Sequence, residues 1–382
     1  MKFEFRENPP GIHPPTAALT RILNDKQITN PVTETSYSEA MLLGIGGGLD
    51  IGYILFQFPH LPHPMLVLGF RNQWNHTRSF LNDLTARLSL NVSFQEFENK
   101  KMAEKGLQAA LSKESIAIVW VDKAFLPHHQ LPEYLKGYIN HQVAVYRRNG
   151  RLWRLYLDDL SIYPIEIREK SFTEARANLS QNNFLMMIYD SAGEINPQDL
   201  GEGIMDGIKD CVTQLLQPLK TVGISNLETW SENLIDKHDQ QGWPQIFKDP
   251  QGLFPVLQTI YESIKPNGTD GFALRKMYSE FLHEAADILK NSALNAVAGQ
   301  YLQLSNHWSS LADNALPSRI PEFDRVKNLL NKKYDAYRQS DHETCKKSAD
   351  DLQTINTKVS ADFPLDKSET YQLFKSSPTR LN

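Results

Sequence analysis

From Thr16 to Lys26 the apolar residues fall at Ala18, Leu19, Ile22 and Leu23, a spacing that predicts a helix. A short helical run, Glu39 to Gly44, follows Ser38, and Gly46-Gly47-Gly48 breaks it. DIGYILFQF and MLVLGF then read as strands. RSFLNDLTARLSL and MAEKGLQAALSKE are amphipathic helices with the strand VSFQEF between them, and IAIVWVD reads as a buried strand. Next, HQVAVY and LWRLYLDD alternate around Asn149-Gly150, a strong short-range hairpin signal. PIEIREKSFTEARANL gives a strand and a helix, and NFLMMIYD gives one more strand.

Beyond Pro197 the two-residue alternation stops. Segments 198–217, 225–238, 244–264, 271–290, 293–315 and 320–359 carry helical periodicity, punctuated by Pro218, Gly223, Gly242, Pro266 and Pro317. The pattern predicts an α+β chain: a domain over 1–195 with a central antiparallel sheet, then an all-helical domain over 196–360. Residues 361–382 read as a polar, loosely attached tail.

Composition narrows the function classes. At 382 residues the chain exceeds the size at which a single core stops growing, and 41% hydrophobic residues suffice for two cores. A net charge of −5 argues against nucleic-acid or membrane-surface partners. The start MKFEFRENPPG has no apolar leader, and no run reaches the roughly 18 apolar residues of a membrane span. Cys211 and Cys345 are far apart, as expected of reduced thiols in the cytoplasm rather than a disulfide. The Gly44 to Gly48 run lacks the Lys-Ser/Thr ending of a phosphate loop and reads as a tight turn, so no nucleotide cofactor is implied.

The candidate chemistry lies in the predicted hairpin. His141 opens one strand and Asp158-Asp159 closes the other. A carboxylate facing an imidazole fixes its tautomer and stabilises its charged form, as a general base requires. Asp159 is the better partner because it shares a strand face with Leu155 and Leu157. His13, Glu39 and Asp122 are candidate substrate-binding residues, although Glu39 equally suits the first turn of a helix. Asp122, His128, His129 and His141 are the nearest thing to a metal set. Adjacent histidines diverge, however, and no metal or other cofactor is expected.

Four stretches resemble the family of butirosin-biosynthesis protein H. GIHPPTAALTRIL is similar to its opening Gly-x-His-Cys-x-x-x-Ala-Leu, and YSEAMLLGIGGGLDIGY to its Ser-Glu and glycine-rich turn. IAIVWVDKAFLPHH with NHQVAVY and the closing LDD resembles its Asp-x-x-x-Leu-Pro segment and histidine strand. GTDGFALRKMYSEFLHEAADIL resembles a helix of the uncharacterised helical domain that follows. The resemblance implies a papain-like fold and an acyltransferase of secondary metabolism. Such an enzyme moves an aminoacyl group from an acyl-carrier-protein thioester to an amine, with Cys as nucleophile, His as base and Asp as its orienting partner. His141 and Asp159 match the last two.

The nucleophile does not match. Pro14 stands where the family has Cys, and it suits the first turn of a helix while supplying no thiol. Thr16, two residues on, would lie more than half a turn around the helix axis. Two readings remain open. One is a degenerate member whose cleft binds a carrier protein, a peptide or a small molecule. The other is a cysteine-independent acyltransferase or amidohydrolase with His141 as general base. Both leave a homo-oligomer open.

Overall fold

The computed structural model describes residues 11–57, 63–71, 77–113, 115–149, 152–157, 161–163, 165–179, 184–219, 221–266, 269 and 271–376. Along the first half run α1 (Pro14–Asp25), α2 (Glu39–Ile45), β1 (Leu49–Phe56), β2 (Met65–Arg71), α3 (Thr77–Arg87), β3 (Leu90–Gln95) and α4 (Lys100–Ser112). They are followed by β4 (Ala117–Asp122), β5 (Asn140–Asn149), β6 (Leu152–Leu157), β7 (Ile165–Arg168), α5 (Glu169–Ala177) and β8 (Met186–Ala192). The rest is helical: α6 (Pro197–Leu215), α7 (Ile224–Ile235), α8 (Trp243–Ile246), α9 (Leu253–Ile264), α10 (Arg275–Leu289) and α11 (Ala293–Ala315). Then come α12 (Pro321–Arg338), α13 (His342–Ala361) and α14 (Lys367–Ser376). This is the expected α+β architecture.

Backbone contacts divide the chain into two compact units, 1–42 with 81–200 and 332–349, and 43–80 with 201–331 and 350–382. They interleave along the sequence and do not coincide with a single cut at residue 195.

The first unit is built on an antiparallel sheet of order β3-β8-β4-β5-β6-β7. β4 lies inside it and is buried along its whole length, which explains why IAIVWVD is apolar without alternation. On one face Val119 and Val121 join Val143 and Val145 of β5, Leu107 of α4 and Phe172 of α5. β5 and β6 pair with Asn149 opposite Leu152, so the residues between them are Gly150 and Arg151, both outside the described residues. α1 packs against β5 and β6. Its buried face carries Ala18, Leu19, Ile22 and Leu23, the residues whose spacing predicts it.

The second unit packs helices around the β1–β2 hairpin. Among the described residues β1 has no strand beyond it, and side chains supply partners there: Asn226 accepts from the Tyr53 amide at 2.6 Å and donates to its carbonyl at 3.1 Å. Trp243 donates to the Tyr53 hydroxyl at 2.8 Å. The glycine run works as a turn with close approach. A side chain at Gly44 or Gly46 would run into the ring of Phe281 or Phe80.

Three sequence expectations change. The periodic stretch 78–90 stops being helical at Arg87, because Ser89 turns left-handed (φ 51°) and Leu90 starts β3. Segment 320–359 is two helices: Ser340 is left-handed (φ 57°) and Asp341 accepts from the Thr344 amide at 3.0 Å, starting α13. The tail contains α14, whose start is a reciprocal capping box. Glu369 donates its amide to Asp366 at 2.8 Å, and Asp366 returns its own to Glu369 at 3.0 Å. Phe374 lies edge-on to Trp243 at 5.6 Å, so the apolar face of α14 is docked rather than loose.

Gly48 has φ +67°, and a methyl group there would lie 2.5 Å from the Tyr278 ring and 3.0 Å from Cys211 Sγ. Gly48→Ala should therefore cost about 2–4 kcal/mol, combining overpacking with a strained backbone. The check is a urea unfolding curve, in which the midpoint falls while the slope is unchanged.

Candidate functional site

The N-terminus of α1 is where a nucleophile would sit, and its chemistry follows from two prolines. His13 is the N-cap, and Pro14 and Pro15 occupy the first two helical positions. A helix start normally offers four free amide protons, which together with the helix dipole attract an anion. Here two of the four do not exist, since proline has no N–H.

Glu39 takes the amide of His13. Its Oε2 accepts from the His13 amide at 3.2 Å and from the Ile12 amide at 3.1 Å. In a capping box a Glu on the third helical residue does this for its own N-cap. In this chain that position is Thr16, and a residue 26 positions from His13 supplies the carboxylate. The Thr16 hydroxyl lies 3.0 Å from His13 Nδ1, 3.1 Å from the His13 carbonyl and 3.4 Å from Glu39 Oε2. Its single proton serves one acceptor at a time. Thr16 is completely buried, so it is a structural hydroxyl rather than a replacement nucleophile. Burial pushes the Glu39 carboxyl up to about 7, against the opposing pull of the two amides, the Arg21 charge and the Thr16 hydroxyl.

His141 is buried near the start of β5, opposite Val121 of β4. Its ring meets that of His129 edge-on at 5.4 Å; His129 lies 4.5 Å from His128, and both lie against Tyr337, at 5.0 and 6.0 Å. The structure thus gathers three of the four residues considered as a metal set. The fourth is turned to other work. Asp122 Oδ1 accepts from the Ala124 amide at 2.9 Å and Oδ2 from the Gly137 amide, which fastens both ends of the loop between β4 and β5. Burial raises its carboxyl above the usual range despite these bonds. Asp122 thus works as a loop staple. Among the described residues no group of three or more His, Cys, Asp or Glu side chains could hold a metal ion. Asp158 and Asp159 lie outside the described residues, so the pairing of Asp159 with His141 stays an expectation.

Neither cysteine stands in for the missing thiol. Cys345 is buried, with its Sγ 3.8 Å from the His128 carbonyl. Cys211 is buried in the second unit, where it accepts from the Leu49 amide at 3.3 Å. Burial raises both thiols, and a raised thiol is a poor nucleophile. Arg275, another polar residue of that unit, donates to the Asp50 and Ala273 carbonyls and stacks 4.8 Å from the Trp308 ring.

An antiparallel α+β unit that packs one helix onto a histidine-bearing strand, in a chain that is mostly helical beyond it, defines the class. Residues 13–159 match the family model for butirosin biosynthesis protein H, N-terminal, and residues 171–336 match a domain of unknown function, DUF4872. The chain belongs to the butirosin biosynthesis protein H-like family, with the helical domain following the N-terminal one. A search of curated proteins found no match.

Because the Glu39 carboxyl titrates near 7 in the folded chain and near 4.5 when unfolded, the folded state holds an extra proton between those values. Its contribution to stability is complete below about pH 4.5 and is lost as pH rises through 7. Wild type should lose on the order of 2–3 kcal/mol from this source between pH 5 and pH 8. Glu39→Gln should remove that part of the slope and leave the part due to Asp50 and Asp122, whose carboxyls are also raised. Urea midpoints at the two pH values measure it.

Proposed function

We propose that the chain is an acyltransferase-like binding protein, degenerate at its nucleophile, whose papain-like first unit holds an acylated carrier protein or the acyl group it carries. The observation behind this is the pair Pro14-Pro15 at the start of α1 with Glu39 on the adjacent amides. Covalent acyl transfer needs a nucleophile and donors for the oxyanion that forms when it attacks. Pro14 provides neither a thiol nor an amide proton. Glu39 takes the amides of Ile12 and His13 beside it, so these donors are already engaged.

The papain-like description draws support from the packing of α1 on β5, the strand that carries His141. Retention of His141 inside a packed ring cluster fits a side chain kept for structure. Among the described residues no helix is long and apolar enough to cross a membrane, and the two buried cysteines are free thiols, in keeping with a reducing setting.

The test mixes the protein with an acyl-carrier-protein thioester and a free amine, and follows binding by calorimetry and transfer by mass spectrometry. Saturable binding is expected, with no covalent adduct and with transfer no faster than in the protein-free control. Transfer that falls 10²-fold or more in His141→Ala, the size expected of a lost general base, would establish instead a cysteine-independent enzyme.

A further inference from the structure

α6 carries more apolar surface than one core contact needs. Its inward face is set by Ile204, Gly207 and Cys211, all buried. A side chain at Gly207 would run into the Gly44 carbonyl, and Cys211 accepts from the Leu49 amide. At about 100° per residue, a second apolar arc lies beside that face and turns away from it. Ile208 and Leu215 form its near edge and are half-buried, whereas Met205, Val212 and Leu216 are 40%, 49% and 66% exposed. The Leu216 amide donates to the Val212 carbonyl at 3.1 Å, which keeps Leu216 in the helical row. Residues 205, 208, 212 and 215 follow the 3-4-3 spacing with which two helices pack side by side. An exposed arc of this length, on a helix whose core contact is already made, marks an interaction surface.

We propose that a second copy of this chain docks on the arc, the two α6 helices lying antiparallel about a two-fold axis. Charge selects this occupant. Glu202 and Lys209 stand two turns apart on the outer edge of the arc, and both are exposed. In a two-fold pair, a contact from residue i to residue j is matched by one from j to i. Glu202 of each copy then meets Lys209 of the other, and the axis passes between residues 205 and 206. α6 runs from Pro197 to Leu215, so its middle residue is Asp206. The register that matches the charges therefore pairs the helix along all 19 residues, a contact ~28 Å long. It brings Met205 beside Ile208 of the copy, and Val212 beside Gly201, where no side chain competes for the space. Lys209 already holds Asp206 at 2.9 Å on its own helix, and its exposed ammonium can take a second carboxylate. Asp206 and Asp210 lie further round, so the edge of the arc is of mixed sign. A uniformly basic or acidic partner gains little from such an edge, whereas a copy complements it. This surface is separate from the α1 reading and does not depend on it.

The test is sedimentation of the full-length protein between about 1 and 100 μM, with circular dichroism to check that each variant is folded. Wild type should be a monomer–dimer equilibrium with a Kd of about 1–10 μM. Val212→Glu changes an exposed helical position, so it spares the fold, and it should weaken pairing by about tenfold or more. Glu202→Lys and Lys209→Glu should each weaken it by about threefold to tenfold, because each sets like charges face to face twice. Combined in one chain, the two exchanges should restore pairing, since both ion pairs re-form with their signs reversed. The proposal fails if wild type is still monomeric at about 100 μM, whatever else proves to cover the arc. It also fails if the dimer is indifferent to Val212→Glu, or if the combined variant pairs no better than the single ones.

Discussion

A helix that begins with two prolines has lost two of the amide protons that make a helix N-terminus attractive to an anion, and the organisation of α1 depends on this constraint. At its edge the amides of His13, the N-cap, and of Ile12 before it both donate to Glu39. A carboxylate held there by two amides and flanked by a buried hydroxyl closes the helix start in the way a bound ligand would. The same arrangement that makes α1 a well-capped element makes it unsuited to covalent catalysis. Stability of the helix start and loss of the reaction centre are two consequences of one set of bonds.

Other buried polar residues follow the same logic of completing a backbone that regular structure leaves unfinished. Asp122 fastens the loop between β4 and β5 through amides at both its ends. Asn226 replaces the strand that β1 lacks. Asp50 accepts from the Gly223 amide at 3.1 Å and from Gln214 at 3.0 Å, and it remains raised by burial. Carboxylates in such places are ordinary joints of the fold, and their shifted titration comes from burial rather than from catalytic tuning.

Much of the fold was legible in local pattern. Alternation at HQVAVY, continuous apolarity at IAIVWVD and helical spacing at TAALTRIL each follow from one neighbouring surface, and each predicts its element. Pro14 was equally legible as a helix start without a thiol. What pattern alone did not reveal was long-range polar pairing. Glu39 reads as a helix-favouring acid on its own α2, because nothing in the spacing of residues 26 apart announces that its carboxylate serves α1. Asp122 reads as a strand-end acid near histidines, whereas its bonds go to the amides of a loop. The placement of Tyr337 and Cys345 beside His128 has no signature in the sequence, since their segment is separated from the histidines by the helical half. The capping box at Asp366 and Glu369 was visible in principle and outweighed by the polarity around it.

The bond between Glu39 and the start of α1 is the claim on which the account rests. It is tested most directly by following the Glu39 side-chain carboxyl carbon and the His13 amide by NMR across pH. The carboxyl should titrate with a midpoint near 7, and the His13 amide shift should follow the same midpoint. A Glu39 carboxyl that titrates near 4.5, with a His13 amide indifferent to it, would contradict the account.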